Sequence, residues 1–192
     1  MLPAIAVFAK APVPGRVKTR LAVAMGDERA AELYEQMVSV LLQRLIQAGE
    51  RLASDIELHT DTGTDAWGWA GVTRREQVSG DLGARMLHAF RELLGEGREV
   101  VVIVGGDVPT VPVEHLEALL GSGADVTLGR AEDGGYWGIA CRRVEEGMFD
   151  GVGWSTAGAC EETAAACRRA GLTVAMGPEW FDIDEPCDVG RI

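Results

Sequence analysis

Apolar runs alternate with amphipathic stretches along this chain. Ala4–Ala9 is apolar throughout, the pattern of a strand buried on both faces. Lys10 to about Gly26 reads as a loop, punctuated by Pro12, Pro14 and Gly15. Asp27 can cap a long helix to about Ala48, in which Leu33, Met37, Leu41 and Leu45 recur every four residues as one buried stripe, and Gly49 stops it. Asp55–Thr60 predicts a second strand. A polar stretch with Trp67 and Trp69 then leads to a short extended piece ending near Gln77–Val78. Asp81–Leu94 predicts a second helix, stopped by Gly95 and Gly97, and Glu99–Val104 is the most strand-like run in the chain. Pro112 opens a third helix to Leu120, ended by Gly121. Ala124–Leu128 and Tyr136–Cys141 predict strands, Thr156–Ala170 a fourth helix ended by Gly171, and Leu172–Met176 a last strand before a short acidic tail.

Strands separated by helices predict an α/β chain, with a mostly parallel sheet covered on both faces. In such sheets ligands bind at the carboxyl ends of strands, near a switch in strand order, so the residues just after each strand are where function is expected. With no repeat, linker or low-complexity segment, the pattern predicts one domain over residues 1–192.

Composition narrows the class. A chain of 192 residues, 47% hydrophobic and 25% charged, can bury a full core and is not disordered, collagen-like or coiled coil as its main state. Its apolar runs fall well short of the ~20 residues a membrane span needs, and Met1-Leu2-Pro3 carries no basic leader. A net charge of −12 makes it a poor non-specific binder of nucleic acid or anionic membrane. Cys141, Cys160, Cys167 and Cys187 show no metal-binding spacing; Cys160 and Cys167 read as small core residues, and the cysteine usage predicts a reducing, cytoplasmic setting. His59, His88 and His115 form no triad pattern.

Against the acidic background, Lys10-Ala-Pro-Val-Pro-Gly15-Arg16-Val-Lys18-Thr19-Arg20 carries four cations and no acid. The chain has 16 arginines and two lysines, and both lysines are in this loop. A compact point charge is suggested there rather than a planar fork. Prolines and a glycine stiffen the backbone and permit close approach, a means of holding a di- or triphosphate. A solvated surface loop is the plain alternative. A P-loop is disfavoured, because Val17 and Pro12 stand where its glycines belong.

Carboxylates mark other strand ends. Gly105-Gly106-Asp107-Val108-Pro109 follows the Val100–Val104 run, and Asp107 is placed to hold a divalent metal. The other reading, a helix cap, falls better to Thr110, nearer Pro112. In the extended Trp180–Pro186 segment, Asp182 and Asp184 are two apart and point to one side, where a cation would relieve their repulsion; a solvated acidic tail is the alternative. Asp133-Gly134-Gly135-Tyr136 reads as a hairpin turn, and Trp154-Ser155-Thr156 as a helix N-cap or an anion site.

Taken in order, Lys10–Leu21, Gly80-Asp81-Leu82-Gly83-Ala-Arg85-Met86, Gly106-Asp107-Val-Pro109, Asp133–Tyr136, Trp154–Thr156 and Asp182-Ile-Asp184 resemble the bacterial GT-A-type nucleotide-diphospho-sugar transferase or glycosyltransferase family. They are more distantly similar to 2-phospholactate guanylyltransferase and molybdenum cofactor guanylyltransferase. The resemblance implies a three-layer α/β/α fold with a mostly parallel mixed sheet. It implies a basic loop (Lys10, Gly15, Arg16, Lys18, Thr19, Arg20) on nucleotide phosphates, with Lys18 and Arg20 as charge partners, and Gln77, Gly80, Asp81 and Leu82 at the base. It places Mg²⁺ or Mn²⁺ on Asp107 with Asp182 or Asp184. Lys18, Arg20 and Asp107 are then the expected catalytic groups, and Asp133, Gly134, Gly135, Tyr136, Trp154, Ser155 and Thr156 the acceptor side. One departure is the strand-end motif: Asp107 is followed by Val108-Pro109, so the D-x-D of many glycosyltransferases is missing there. The expected activity is metal-dependent transfer from a nucleotide donor to a small-molecule acceptor. Glycosyl transfer stands ahead, with nucleotidyl transfer and a non-catalytic nucleotide-binding module as alternatives.

Overall fold

A computed structural model of the chain describes residues 2–191. Its seven strands form one mixed sheet in the order β3-β2-β1-β4-β6-β5-β7. The strands are β1 Ala4–Ala9, β2 Asp55–Thr60, β3 Thr73–Glu76, β4 Val101–Gly105, β5 Val126–Ala131, β6 Tyr136–Cys141 and β7 Val174–Trp180. β6 runs antiparallel to β4 and β5, and the remaining neighbours are parallel. The helices are α1 Thr19–Met25, α2 Asp27–Gln47, α3 Gly49–Leu52, α4 Leu82–Gly95, α5 Val113–Gly121 and α6 Ala159–Arg169.

The apolar runs of β1 and β4 are continuous because each face of the sheet has its own core. Ile5 and Val7 of β1 and Val102 and Val104 of β4 pack with α2 (Val38, Leu41, Leu45) and α5 (Leu116, Leu119). Ala4, Ala6, Val101 and Ile103 point the other way, onto α4 (Met86, Phe90, Leu93) and α6 (Cys160, Ala164, Cys167). This gives the expected three layers, with the two cysteines as small core residues. Among the described residues, no helix is long and apolar enough to cross a membrane.

Several boundaries differ from the pattern-based reading. The basic loop ends early, because Thr19–Met25 forms α1 and buries Leu21 in a small third core with Ala30, Met37 and Ile183. Gly26, not Asp27, is the N-cap of α2; Asp27 lies in its first turn, where its charge suits the helix dipole. β7 continues past Gly177 and Pro178 to Trp180. A proline is tolerated there because β7 is an edge strand and one side needs no ladder bond. α6 begins at Ala159 with Gly158 as N-cap, three residues later than Thr156. Thr110 does not cap α5: Pro112 is its N-cap, and the Thr110 hydroxyl is buried without a hydrogen-bond partner among the described residues.

Strand order reverses between β1 and β4. After β1 the chain moves toward β2 and β3, whereas after β4 it moves toward β6, β5 and β7. The crevice at the carboxyl ends of β1 and β4 is therefore where the fold leaves room for a ligand.

Candidate active site

A cleft of about 730 Å³ opens at that switch point. Lys10, Arg16, Lys18, Thr19, Arg20, Gln77, Asp81, Leu82, Asp107, Asp133, Gly135, Tyr136, Trp154, Ser155, Asp182 and Asp184, all singled out in the sequence, line it. Gly15, Gly80, Gly134 and Thr156 do not. Gly15 turns back on α2, where a Cβ would come 3.5 Å from the Asp27 carboxylate. Gly80 precedes the N-cap of α4, and a Cβ there would meet the Ala84 methyl at 3.1 Å. Gly134 packs under the next loop, where a Cβ would lie 2.0 Å from the Ala157 carbonyl oxygen. Thr156 braces its own loop: its hydroxyl donates to the Gly153 carbonyl and accepts from the Gly158 N–H.

The start of the basic loop is pinned at two backbone amides. The Lys10 N–H donates to the Tyr34 hydroxyl at 3.0 Å, and the Ala11 N–H to Asp61 Oδ1 at 2.7 Å. Lys18 then adopts a left-handed backbone conformation (φ 47°, ψ 46°) just before α1. A non-glycine residue held there costs about 1–2 kcal/mol. The strain is offset by what the side chain reaches. Its ammonium donates to Asp107 Oδ2 at 2.9 Å and to Asp184 Oδ1 at 3.4 Å, and the side chain is 6% exposed. Arg20 Nη1 closes on the other oxygen of Asp184 at 2.5 Å. Residues 89 and 166 positions apart in sequence thus meet in one ion cluster.

Ile183 aims the acidic segment. Its side chain is fully buried in the third core and its N–H donates to the Asp107 carbonyl at 3.0 Å. In an extended segment its neighbours Asp182 and Asp184 then face the opposite way, into the cleft. The two glycines before Asp107 serve packing: a Cβ on Gly105 would come 2.6 Å from Asp107 Oδ1, and one on Gly106 would come 2.8 Å from Val38. Gly105 thereby makes room for the Asp107 carboxylate, and both glycines line the cleft.

The cleft is polarised. Its cations, Lys10, Arg16, Lys18, Arg20 and Arg85, all come from the first half of the chain. The wall built from residues 131–184 contributes Asp133, Asp182 and Asp184 with the rings of Tyr136, Trp137 and Trp154. Burial opposes ionisation of Asp107, but the Lys18 ammonium outweighs it and holds the carboxyl below its usual range. Lys18 is correspondingly raised, because its carboxylate partners outweigh the desolvation that acts against its charge. Asp182 behaves oppositely: burial, then the charges of Asp107 and Asp133, push it up to about 6.

That shift sets a pH test. Between roughly pH 4 and 6 the folded chain holds a proton on Asp182 that the unfolded chain has released. Stability therefore falls as pH rises through this window and stays lower above it. Asp182→Asn is expected to be about 1 kcal/mol more stable than wild type at pH 7.5, with no gain at pH 4, by urea unfolding. A gain equal at both pH values would show that charge on Asp182 is not the cause.

The expected metal ligands are three aspartates, and the structure treats them unequally. Asp184 is held through both oxygens, by Lys18 and Arg20, whereas Asp107 is held by Lys18 through Oδ2 alone and its Oδ1 has no cationic partner within 4.0 Å among the described residues. Among the described residues, no group of three or more acidic, histidine or cysteine side chains is gathered closely enough to hold an ion alone. Asp107 and Asp182 still offer the hard oxygens that Mg²⁺ or Mn²⁺ takes in ones and twos beside substrate phosphates and water. Burial raises Asp182 most, and an ion held there would relieve the repulsion from Asp107 and Asp133 that adds to it. The residues fit the ion.

Tyr34, Asp61 and Arg85 also shape the site, and the sequence reading assigned none of them a role. Tyr34 follows the apolar period of α2 and looks like core; Asp61 is one polar residue in a polar stretch. Arg85 stands in a quoted motif, but its contacts appear only in three dimensions.

The comparisons with known proteins bear on this geometry. The family model described as "Uncharacterized protein conserved in bacteria (DUF2064)" matches residues 47–156, which include Gln77, Asp107 and Asp133 but not the basic loop. No curated protein matches the chain. A protein from Desulfovibrio desulfuricans G20, proposed to be a nucleotide-diphospho-sugar transferase, is 34% identical with a TM-score of 0.84, over 95% of this chain and 82% of that one. The CMP:2-keto-3-deoxy-manno-octonic acid synthetase complexed with CTP has a TM-score of 0.64 at 12% identity, over 100% of this chain and 96% of that one. A cytidylyltransferase from Leptospira borgpetersenii serovar Hardjo-bovis has a TM-score of 0.61 at 15% identity, over 96% of this chain and 82% of that one. The last two show a shared fold, one used by nucleotide-dependent transferases.

Proposed function

Because this chain belongs to the bacterial DUF2064 family and folds as nucleotide-using transferases do, we propose that it is a nucleotidyltransferase. It joins a nucleoside triphosphate to a phosphorylated small molecule and releases pyrophosphate. The observation that carries this reading is the 2.9 Å contact between Lys18 and Asp107, which brings the basic loop and the strand-end carboxylate into one cleft. Three further cations of the loop line the same cleft, and Lys10 and Arg16 have no carboxylate partner within 4.0 Å among the described residues. That surplus suits a triphosphate better than a diphosphate. The single carboxylate at the end of β4 supports the same choice, as do the synthetase complexed with CTP and the cytidylyltransferase that share the fold.

In this reading a phosphate oxygen of the acceptor attacks the α-phosphorus of the donor. The bond from that phosphorus to the bridging oxygen breaks, and pyrophosphate leaves with the electron pair. Such a reaction needs positioning and charge neutralisation more than covalent work by the protein. Lys10, Arg16 and Arg20 offset charge on the β- and γ-phosphates. Lys18, fixed by Asp107 and Asp184, keeps an ammonium at the cleft floor without reorganising as charge develops on the leaving oxygen. Asp107 and Asp182 would hold Mg²⁺ or Mn²⁺, which supplies further neutralisation of phosphate charge when bound. Tyr136, Trp154, Ser155 and Asp133 face the acceptor.

Glycosyl transfer from a nucleotide sugar is the second reading, favoured by the description of the Desulfovibrio desulfuricans relative. Product analysis separates the two. With Mg²⁺ or Mn²⁺, nucleoside triphosphates and a panel of phosphorylated sugars and acids, nucleotidyl transfer yields pyrophosphate. Nucleoside diphosphate released from a nucleotide sugar, with no pyrophosphate from any triphosphate, would overturn the proposal in favour of glycosyl transfer.

A further inference from the structure

We infer that the Tyr34 hydroxyl is a phosphate-binding group, which donates its proton to an oxygen of the donor's polyphosphate at the β1–β4 crevice. The inference rests on the reading that a nucleotide occupies the cleft.

Tyr34 sits on the buried face of α2, and its ring belongs to the core that α2 makes with β1 and β4. A phenylalanine would fill that space as well, so the hydroxyl needs a reason of its own. The residue is 6% exposed, yet it lines the cleft. Its oxygen accepts from the Lys10 N–H at 3.0 Å, just past the end of β1. On the β4 side the same oxygen lies beside Gly106, where a Cβ would come 3.1 Å from it. The hydroxyl therefore reaches the switch point itself, between the two strand ends, and the bare glycine leaves it uncovered there.

The proton is the unsatisfied half of this group. Among the described residues the hydroxyl forms one hydrogen bond, and forms it as an acceptor. Asp107 and Asp61 are near enough for their charges to act on the phenol, but neither accepts its proton; Asp107 is bonded to Lys18, and Asp61 to the Ala11 N–H. Burial, then the Asp107 charge, holds the phenol above its usual range, so it stays protonated and remains a donor. A buried donor without an acceptor is costly, and a fold that keeps one calls for an explanation. An acceptor that enters the cleft supplies it. The chemistry of that acceptor follows from its surroundings. Lys10 and Arg16, which have no carboxylate partner within 4.0 Å among the described residues, line the same cleft. An oxygen that satisfies a phenol beside unpaired cations is anionic, and phosphate is the anionic oxygen a nucleotide brings. The bond from the Lys10 N–H also polarises the phenol and strengthens its O–H as a donor. The amide that Tyr34 covers thus still acts on the phosphate, through the hydroxyl.

The test is calorimetric titration with inorganic tripolyphosphate in Mg²⁺ of the wild type, of Tyr34→Phe, and of a chain carrying 3-fluorotyrosine at position 34. Tyr34→Phe should bind at least about tenfold more weakly, the loss of one hydrogen bond to a charged acceptor. That variant also takes the acceptor away from the Lys10 N–H, so the fluorinated residue separates the two roles. Ring fluorine makes the phenol a stronger donor and a weaker acceptor. Donation to phosphate therefore predicts tighter binding than wild type, whereas a hydroxyl that only steadies Lys10 predicts weaker binding. If Tyr34→Phe does not fold, the sign of the change in the fluorinated chain decides alone. Equal or weaker binding by the fluorinated chain, or a folded Tyr34→Phe within about twofold of wild type, overturns the inference and leaves the transferase reading standing. So does a wild type that binds nucleoside triphosphates but not tripolyphosphate. A wild type that binds no nucleoside triphosphate overturns the transferase reading itself, and this inference with it.

Discussion

Asp107→Asn is expected to abolish metal-dependent turnover, lowering it by about 1,000-fold or more, while the chain stays folded. Removing one preorganised charge-stabilising group costs about 100- to 1,000-fold in well-studied sites. Here one carboxylate does two things. It is the strand-end oxygen donor for the ion, and it fixes Lys18 at 2.9 Å. Asparagine has nearly the same shape but offers a neutral amide, which is a weak ligand for a hard divalent ion and no counter-ion for an ammonium. The backbone at this position should hold, because the bond from Ile183 N–H to the Asp107 carbonyl uses no side-chain atom. Lys18 keeps Asp184, so its charge is not stranded. Turnover with Mg²⁺ and the far-ultraviolet spectrum check this together. A folded Asp107→Asn protein with wild-type turnover would remove the metal assignment.

Lys18→Ala is expected to weaken nucleotide triphosphate binding by at least about 1.5 kcal/mol, or more than tenfold, the scale of a charge-assisted hydrogen bond. The loss should approach the top of that range, about 3 kcal/mol, because Asp107 and Asp184 would then face the phosphates without the cation between them. Lys18→Arg is not expected to restore affinity. The site is a point between two carboxylates, reached from a left-handed backbone position, and a planar fork does not reproduce it. Calorimetric titration of each variant provides the comparison. Unchanged affinity in Lys18→Ala would show that the basic loop does not grip the nucleotide.

The sheet and the cleft were largely legible in the sequence, for a physical reason. β1 and β4 are buried on both faces, so their apolar runs admit few other readings, and the chemistry follows directly after them. The basic loop stood out because it reverses the sign of an acidic chain. What escaped depends on tertiary contacts. α1 exists because Leu21 finds a core made of α2 and the acidic tail, and seven residues after a proline-rich loop give little local signal for that. β7 outlasts Gly177 and Pro178 because the neighbouring β5 supplies the pairing. The Thr110 cap failed because the hydroxyl turns inward, a choice that local spacing does not reveal. Asp184 was expected as a candidate metal ligand beside Asp107; the fold also brings it to Lys18 and Arg20. Spacing alone cannot show that residues 166 apart will touch.

The most direct measurement of the central claim is a crystal structure of the wild-type chain with Mn²⁺ and a non-hydrolysable nucleoside triphosphate, using the manganese anomalous signal. The predicted result is a manganese peak coordinated by Asp107 and Asp182, with the triphosphate oxygens between that ion and the side chains of Lys10, Arg16 and Lys18. A nucleotide bound outside the β1–β4 crevice, or a manganese peak with neither aspartate as a ligand, would contradict it.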